Sequence, residues 1–94
     1  MGERSGTYRR LGTSPVLVTQ LGLGGASLGD LYERVSHMQA LETCLCAHDL
    51  GVQFFDTAPW YGLGLSESRM GLALSSLPRE DYVLSSKIGR KLVR

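Results

Sequence analysis

The pattern of apolar and polar positions along the chain predicts five short strands. Residues 8–11 and 16–18 are β-prone runs on either side of a turn that contains glycine and proline, which is the pattern of a β-hairpin. A third apolar run, residues 20–25, ends in glycines. Two further short runs, residues 52–55 and 82–86, complete the predicted strands.

Helical periodicity separates the last three of these strands. Ser36 and Gln39, three residues apart, form a capping box that begins the first helix, and Gly51 lies just past its end. A second helix is predicted to begin with Ser66 as its cap, where Leu65 and Met70 form a hydrophobic staple, and Pro78 stops it. The apolar positions predicted to form one face of the first helix are Met38, Leu41, Cys44, Leu45 and His48.

Strands that alternate with helices predict parallel pairing and an α/β protein. Gly25, Asp56 and Lys87 follow successive predicted strands at equal intervals of 31 residues. An eight-unit barrel of about 250 residues averages about 31 residues per unit. Doubly wound sheets have similar periods, so the spacing favours βα units without choosing between these two architectures.

Composition excludes several classes of protein. Hydrophobic residues make up 43% of the 94-residue chain and the net charge is +1, with no basic block that would attract nucleic acid or an anionic membrane. No apolar run approaches the roughly 20 residues of a membrane span. Residues 1–7 form a polar, loose leader without a signal core, so we expect a cytoplasmic protein.

The two cysteines fit a reducing compartment. Cys44 and Cys46 lie two apart in a predicted helix, where their side chains diverge by about 200° and cannot form a disulfide with each other. Only His37 and His48 could join them as metal ligands, and we expect both histidines on the outer side of the helix. The prediction is therefore no metal site and two buried or partly buried free thiols.

Three polar side chains follow the predicted strands where chemistry is found in parallel α/β folds. Asp56 follows one strand, Tyr61 comes five residues later, and Lys87 follows the next strand. Tyrosine holds its proton at neutral pH and can donate it, and a neighbouring ammonium stabilises the resulting phenolate. A carboxylate would keep that ammonium charged, so the set could protonate a carbonyl oxygen or deprotonate an alcohol.

Each of the three residues also has a structural alternative. Asp56 could form an Asx turn with the residues that follow it, and Tyr61 could pack against Trp60 within a loop. Lys87 could be an ordinary solvated charge at a strand end. Spacing alone leaves these alternatives open.

Five segments closely resemble the aldo-keto reductase family, and together they span residues 8–90. The run from Phe54 to Gly62 followed by a Ser-Glu pair is the most specific of them, and the branch it resembles most is that of aldose or sugar 1-dehydrogenases. The segments are Arg9–Gly12, Leu21–Gly25, Phe54–Gly62, Ser66–Glu67 and Ser86–Arg90.

The resemblance implies a (β/α)8 barrel whose N-terminal hairpin closes the bottom. It implies hydride transfer between NAD or NADP and a small carbonyl compound, alcohol or sugar. Tyr61 would be the acid/base, Lys87 the partner that eases loss of its proton, and Asp56 the carboxylate paired with Lys87. The resemblance also implies cofactor contacts from Gly25, Ala26 and Asp56, and a substrate pocket lined by Trp60 and Tyr32.

The resemblance further implies that residues 8–94 are a partial domain. The family's catalytic histidine has no counterpart here, and its last cofactor-binding loops lie beyond Arg94. We therefore expect a fragment that is inactive alone and needs the complementary remainder of the barrel. The alternative is a non-catalytic relative that acts as an interaction partner or is a relic.

A dinucleotide-binding unit of Rossmann type is a weaker alternative. Residues 22–27 match only the first two glycines of the G-x-G-x-x-G motif, and serine stands at the third position. No helix is predicted to begin directly there.

Overall fold

The computed structural model describes residues 8–89, so the predicted leader at residues 1–7 lies outside the described residues. Short 3-10 helices, which the sequence pattern did not predict, lie at Ala26–Gly29 and Arg79–Asp81. The strands are β1 (Tyr8–Arg10), β2 (Leu17–Thr19), β3 (Leu23–Gly24), β4 (Phe54–Asp56) and β5 (Val83–Ser85), and the helices are α1 (His37–Asp49) and α2 (Leu65–Leu74). Neither α-helix among these residues is long and apolar enough to cross a membrane.

The strands form two sheets, in the order that the sequence pattern predicts. β1 and β2 form an antiparallel hairpin, whereas β3, β4 and β5 form a parallel sheet with β4 in the middle. Gly24 lies opposite Asp56, and Asp56 lies opposite Ser85. The three parallel strands therefore end together at one edge of the sheet, and α/β architecture with parallel βα units is confirmed.

A buried glutamine connects the hairpin to the start of the parallel sheet. The hydroxyl of Tyr8 donates a hydrogen bond to Gln53 Oε1, and the backbone N–H of Gln53 donates to Thr19 Oγ1 at 3.1 Å. Gln53 Nε2 also donates to the carbonyl oxygen of Asp81 at 3.1 Å, just before β5. The hairpin thus lies at the amino ends of the strands, opposite the edge that carries Asp56.

The hydrophobic core lies between the parallel sheet and the two helices. Phe55 is fully buried there and meets the ring of Tyr82 edge-on, with 6.5 Å between ring centroids. Because side chains alternate along a strand, Phe54 and Asp56 face the opposite side of the sheet. The buried members of the core cluster are Leu28, Ala40, Cys44, Phe55, Met70, Ala73 and Leu74.

Helix α1 keeps its predicted cap, and its buried face matches the predicted one in part: Cys44 and His48 are buried, but Met38 is not. Ser36 accepts a hydrogen bond from the Gln39 N–H at 3.0 Å, and the Gln39 side chain accepts one from the Ser36 N–H, which confirms the capping box. Met38 is 63% exposed, so its assignment to the apolar face was wrong. The buried residues of α1 are Ala40, Cys44 and His48.

Two further predictions about α1 were wrong. His48 is buried rather than on the outer side, since it stands one and two turns after Cys44 and Ala40 in the stripe that faces the core. Cys46 is an exposed thiol, because the rotation that separates it from the buried Cys44 carries its side chain to the solvent face. Burial raises the pKa of the Cys44 thiol to about 11.

Helix α2 also begins differently from its prediction. It starts at Leu65, and its N-cap is Gly64 in the left-handed conformation with φ of 98°. Ser66 lies inside the helix, fully buried, and its hydroxyl bonds the Gly25 carbonyl oxygen and Thr57 Oγ1, both at 2.7 Å. A long-range polar network therefore uses the hydroxyl that was expected at the cap.

The core predicts very different costs for truncating two methionines. We expect Met70→Ala to lower the free energy of unfolding by about 2–5 kcal/mol, since Met70 is fully buried between α2 and the sheet. The matched control Met38→Ala removes a 63% exposed side chain and should change it by less than about 0.5 kcal/mol. Urea denaturation followed by circular dichroism measures both, and equal losses for the two variants would contradict this account of the core.

Candidate active site

Asp56 is the residue around which the site forms, and its position is set by the end of β4. The Ser85 hydroxyl, across the parallel register, donates a hydrogen bond to its Oδ1. Lys87 Nζ lies 3.0 Å from Asp56 Oδ2 and 3.2 Å from Oδ1, and it also donates to the Thr57 carbonyl oxygen at 2.8 Å. The Lys87 ammonium thus bonds the carboxylate of Asp56, the last residue of β4, and the backbone of Thr57, the next residue.

Tyr61 approaches the same ammonium from the loop between β4 and α2. Lys87 Nζ lies 5.2 Å from the centroid of the Tyr61 ring, within the range of a cation–π contact. The structure therefore brings together the carboxylate, the phenol and the amine that follow successive strands. This juxtaposition is what the position of strand ends in a parallel sheet predicts.

The segment that carries Lys87 is held on its other side by α2. The hydroxyl of Ser86 donates a hydrogen bond to Glu67 Oε2 at 2.6 Å, and Glu67 lies in the first turn of the helix. A carboxylate in this position is favoured by the helix dipole. The residue next to Lys87 is therefore anchored to the same helix that follows the Tyr61 loop.

The pKa values of Asp56 and Lys87 shift in opposite directions. Burial would raise the pKa of Asp56, but hydrogen bonds from Ser85 and Lys87 and the ammonium charge outweigh it, so the pKa lies below its ordinary value. The hydrogen bond to Asp56 raises the pKa of Lys87, against a smaller opposing effect of burial, and the charge of Asp56 and the Tyr61 phenol add to the rise. Both groups are therefore held in their ionised forms around neutral pH.

A cleft of about 480 Å³ opens beside these groups. Trp60 lies in it and is 56% exposed. Tyr32 does not line the cleft and is 84% exposed. The lining residues are Ala58, Pro59, Trp60, Tyr61, Lys87 and Ile88.

Gly25 lies beneath the site and has little space around it. Its N–H donates to the Asp56 carbonyl oxygen at 2.8 Å, and its own carbonyl oxygen accepts from Ser66. A Cβ at this position would lie 2.6 Å from Ser66 Oγ. Gly24 differs, because a Cβ there would meet nothing within 4 Å, so space is open above the end of β3 beside Asp56.

The sequence interpretation missed the polar residues that hold the loops of this site in place. Arg69 is buried on α2 and bonds Asp30 and the Leu28 carbonyl oxygen, while Ser66 bonds Thr57 and Gly25. One signal could have revealed them: Ser66 and Arg69 lie three residues apart on the face that also carries Met70. Polar residues on a core-facing stripe are expected to have partners. Residues 8–89 contain no group of three side chains suited to hold a metal ion.

Comparison with known proteins identifies the family that this chain matches. Residues 20–93 match the sequence model of the Aldo/keto reductase family. Over 88 residues the chain is 40% identical to the D-threo-aldose 1-dehydrogenase of a Pseudomonas species, covering 94% of this chain and 27% of that protein. Over 86 residues it is 37% identical to the NADH-specific methylglyoxal reductase of Escherichia coli strain K12, covering 84% of this chain and 25% of that protein.

A solved structure gives the same relationship in three dimensions. The holo form of an aldo-keto reductase from Bacillus halodurans matches with a TM-score of 0.81 and 34% identity, covering 94% of this chain and 28% of that one. That neighbour is a (β/α)8 barrel, so the expected fold class is confirmed: the described residues correspond to part of such a barrel. The chain spans about a quarter of the length of these relatives.

The ion pair between Asp56 and Lys87 predicts a specific pH dependence. A lowered pKa of Asp56 means that its contribution to stability is present above about pH 3.8 and is lost as the pH falls through the lower pKa of the folded state. A raised pKa of Lys87 means that its contribution is present below about pH 10.5 and is lost as the pH rises above that value. We expect the pair to remain ionised between these limits.

A carbon-13 NMR titration of the Asp56 carboxyl group measures the acid limb. Lys87→Gln should move the midpoint of this titration to higher pH, because the variant removes the ammonium that stabilises the carboxylate. Arg79→Gln is the control, since Arg79 stacks on Tyr82 away from this site and should leave the midpoint where it is. An unchanged midpoint in Lys87→Gln would show that the pair does not form in solution.

Proposed function

Because the chain belongs to the aldo/keto reductase family, we propose that Asp56, Tyr61 and Lys87 form the proton-transfer part of an oxidoreductase active site. The reaction is the interconversion of a carbonyl group and an alcohol by hydride transfer with NAD or NADP. One observation carries the proposal: the Lys87 ammonium lies 3.0 Å from the Asp56 carboxylate and 5.2 Å from the centre of the Tyr61 ring.

Tyr61 is the proposed acid and base. In the reductive direction its hydroxyl donates a proton to the substrate carbonyl oxygen, and in the oxidative direction its phenolate accepts the proton of the alcohol. The Lys87 ammonium stabilises the negative charge that develops on the phenol oxygen. Asp56 keeps Lys87 charged and oriented through its two carboxylate oxygens.

The residues at this edge of the sheet fit the nicotinamide end of a dinucleotide. Open space above Gly24, next to Asp56, leaves room for a flat ring over the end of β3, and the half-buried Ala26 lies just beyond it. When bound, the nicotinamide supplies or accepts the hydride. Asp56, Ala26 and Gly25 are the proposed contacts. Gly25 would touch the cofactor without a hydrogen bond, because its backbone N–H and carbonyl groups already bond the Asp56 carbonyl oxygen and the Ser66 hydroxyl. The choice between NAD and NADP is left open.

The proposed substrate is an aldehyde or an aldose that enters the cleft beside Tyr61. The cleft offers the ring of Trp60 and the fully exposed Ile88 as apolar surfaces, next to the two hydrogen-bond donors Tyr61 and Lys87. An aldose is favoured over other carbonyl compounds by the 40% identity to D-threo-aldose 1-dehydrogenase. Tyr32, at 84% exposure, would have to approach from the loop after β3 to complete the pocket.

The parallel sheet has a face that supports a further proposal about partners. Leu84 points to the same side as the buried Phe55, yet it is 39% exposed. No strand among residues 8–89 pairs with the free edges of β3 and β5. We propose that further βα units of a barrel cover these edges, which agrees with a chain that spans about a quarter of the length of its relatives.

The free thiols Cys44 and Cys46 favour a cytoplasmic protein.

Removal of the Tyr61 hydroxyl tests the proposed chemistry. In a chimera, residues 8–89 of this chain replace the matching quarter of the Pseudomonas D-threo-aldose 1-dehydrogenase. We expect Tyr61→Phe to reduce kcat for aldose oxidation by about 10²–10⁴-fold, because the acid/base is lost while the ring remains. Tyr82→Phe is the matched control, since Tyr82 packs against Phe55 in the core away from the cleft, and it should leave kcat within about twofold.

Two outcomes of this assay would count against the proposal. A Tyr61→Phe chimera with the kcat of its parent would show that the phenol does not move a proton. A chimera that binds NADH or NADPH but turns over no aldose or aldehyde would favour the alternative of a non-catalytic interaction protein. The 94-residue chain by itself is expected to reduce no NAD or NADP in the same assay, because it supplies only about a quarter of the relatives' length.

A further inference from the structure

We propose that Arg69 and Asp30 form a positioning pair that holds Tyr61 at the cleft, although neither side chain lines it. The inference rests on the proposed role of Tyr61 and adds residues that the chemistry itself does not use. Two loops touch through their backbones: the 3-10 helix Ala26–Gly29 after β3, and the loop of residues 57–64 that carries Tyr61.

Gly29 and Gly62 form this backbone contact. A Cβ at Gly29 would lie 2.6 Å from the carbonyl carbon of Tyr61 and 2.8 Å from the Gly62 nitrogen. A Cβ at Gly62 would lie 2.7 Å from the Gly29 carbonyl oxygen. Such distances leave no room for a side chain on either residue. The peptide bond that follows Tyr61 therefore rests directly on Gly29, and the position of Gly29 limits where Tyr61 can be.

Arg69 fixes the residues on both sides of Gly29. Its Nη1 donates to the Leu28 carbonyl oxygen at 2.9 Å and to Asp30 Oδ1 at 3.2 Å. Arg69 is only 8% exposed, so its bond to the Leu28 carbonyl oxygen is shielded from water, whereas the Asp30 side chain is 32% exposed. One guanidinium nitrogen on the rigid helix α2 thus holds the segment of residues 28–30 against the Tyr61 peptide.

Asp30 adapts the backbone to this arrangement. It adopts the left-handed conformation with φ of 64°, and its Oδ1 also accepts a hydrogen bond from the Val35 N–H at 3.0 Å. The carboxylate therefore joins the turn after the 3-10 helix, the approach to α1 and the buried arginine. A partly buried ion pair ordinarily contributes only to stability, and such a contribution does not produce an effect confined to the Tyr61 loop.

The chain contains its own probe of that loop, since its single tryptophan, Trp60, precedes Tyr61. We expect Arg69→Met to increase quenching of Trp60 fluorescence by acrylamide, by at most about twofold because the ring is already 56% exposed. Arg69→Lys, which keeps a cationic donor, should restore part of the protection. Arg79→Met is the matched control, because Arg79 stacks on Tyr82 away from this loop, and it should leave quenching unchanged.

Amide hydrogen exchange in the 94-residue chain separates loosening of the loop from loss of fold. The Ser66 N–H donates to the Tyr61 carbonyl oxygen at 3.2 Å, and the Ala40 N–H donates to the Ser36 carbonyl oxygen at 3.0 Å in α1. Arg69→Met should accelerate exchange at Ser66 more than at Ala40. Equal acceleration at both sites, or quenching of Trp60 identical to that of the unchanged chain, would overturn the proposal and leave the pair a purely structural contact.

The same variants in the chimera measure the effect on turnover. We expect Arg69→Met to reduce kcat by roughly tenfold or more with KM changed by less than about twofold, because a misplaced Tyr61 slows chemistry more than it weakens binding. A raised KM at unchanged kcat would contradict the positioning role. Fluorescence and exchange need no catalysis, so they can support or reject the positioning pair even if Tyr61 proves not to be the acid/base.

Discussion

The contact between the Lys87 ammonium and the Asp56 carboxylate is the interaction on which the organisation of this site depends. Asp56 ends the middle strand of a parallel sheet, and Lys87 follows the neighbouring strand. The aligned strand ends bring both groups to one edge, and the ammonium then reaches across to the carbonyl oxygen of Thr57 and the ring of Tyr61. Without the parallel register the strand ends would not bring these groups close together.

Sequence patterns predicted the features that depend on neighbouring residues or on strand spacing. The capping box at Ser36 forms as predicted, because both partners lie within one helical turn. The interval of 31 residues indicated successive βα units, and in the structure Asp56 lies opposite Ser85, two residues before Lys87. Parallel pairing therefore brings Asp56 and Lys87 to the same edge of the sheet. The family resemblance then supplied roles for Tyr61 and Lys87 that spacing had left open.

The predictions that were wrong concern which side chains are buried, and this depends on tertiary packing. Which stripe of α1 is buried depends on where α2 and the sheet lie, so Met38 is exposed and His48 is buried. Ser66 was assigned to a helix cap, but two polar groups from distant segments, Thr57 Oγ1 and the Gly25 carbonyl oxygen, bond its hydroxyl inside the core. The ion pair of Asp30 with Arg69 spans 39 residues, a separation that no local pattern reveals.

The contact between Gly29 and Gly62 has a consequence for redesign of the cleft. Because neither residue leaves space for a Cβ, the loops after β3 and β4 have complementary backbone surfaces that pack directly against each other. Grafting either loop alone from a relative would change one of these two surfaces and leave it mismatched with the other loop. Loop exchange between family members should therefore succeed when residues 26–30 and 57–64 are transplanted as a single module, together with the arginine beneath them.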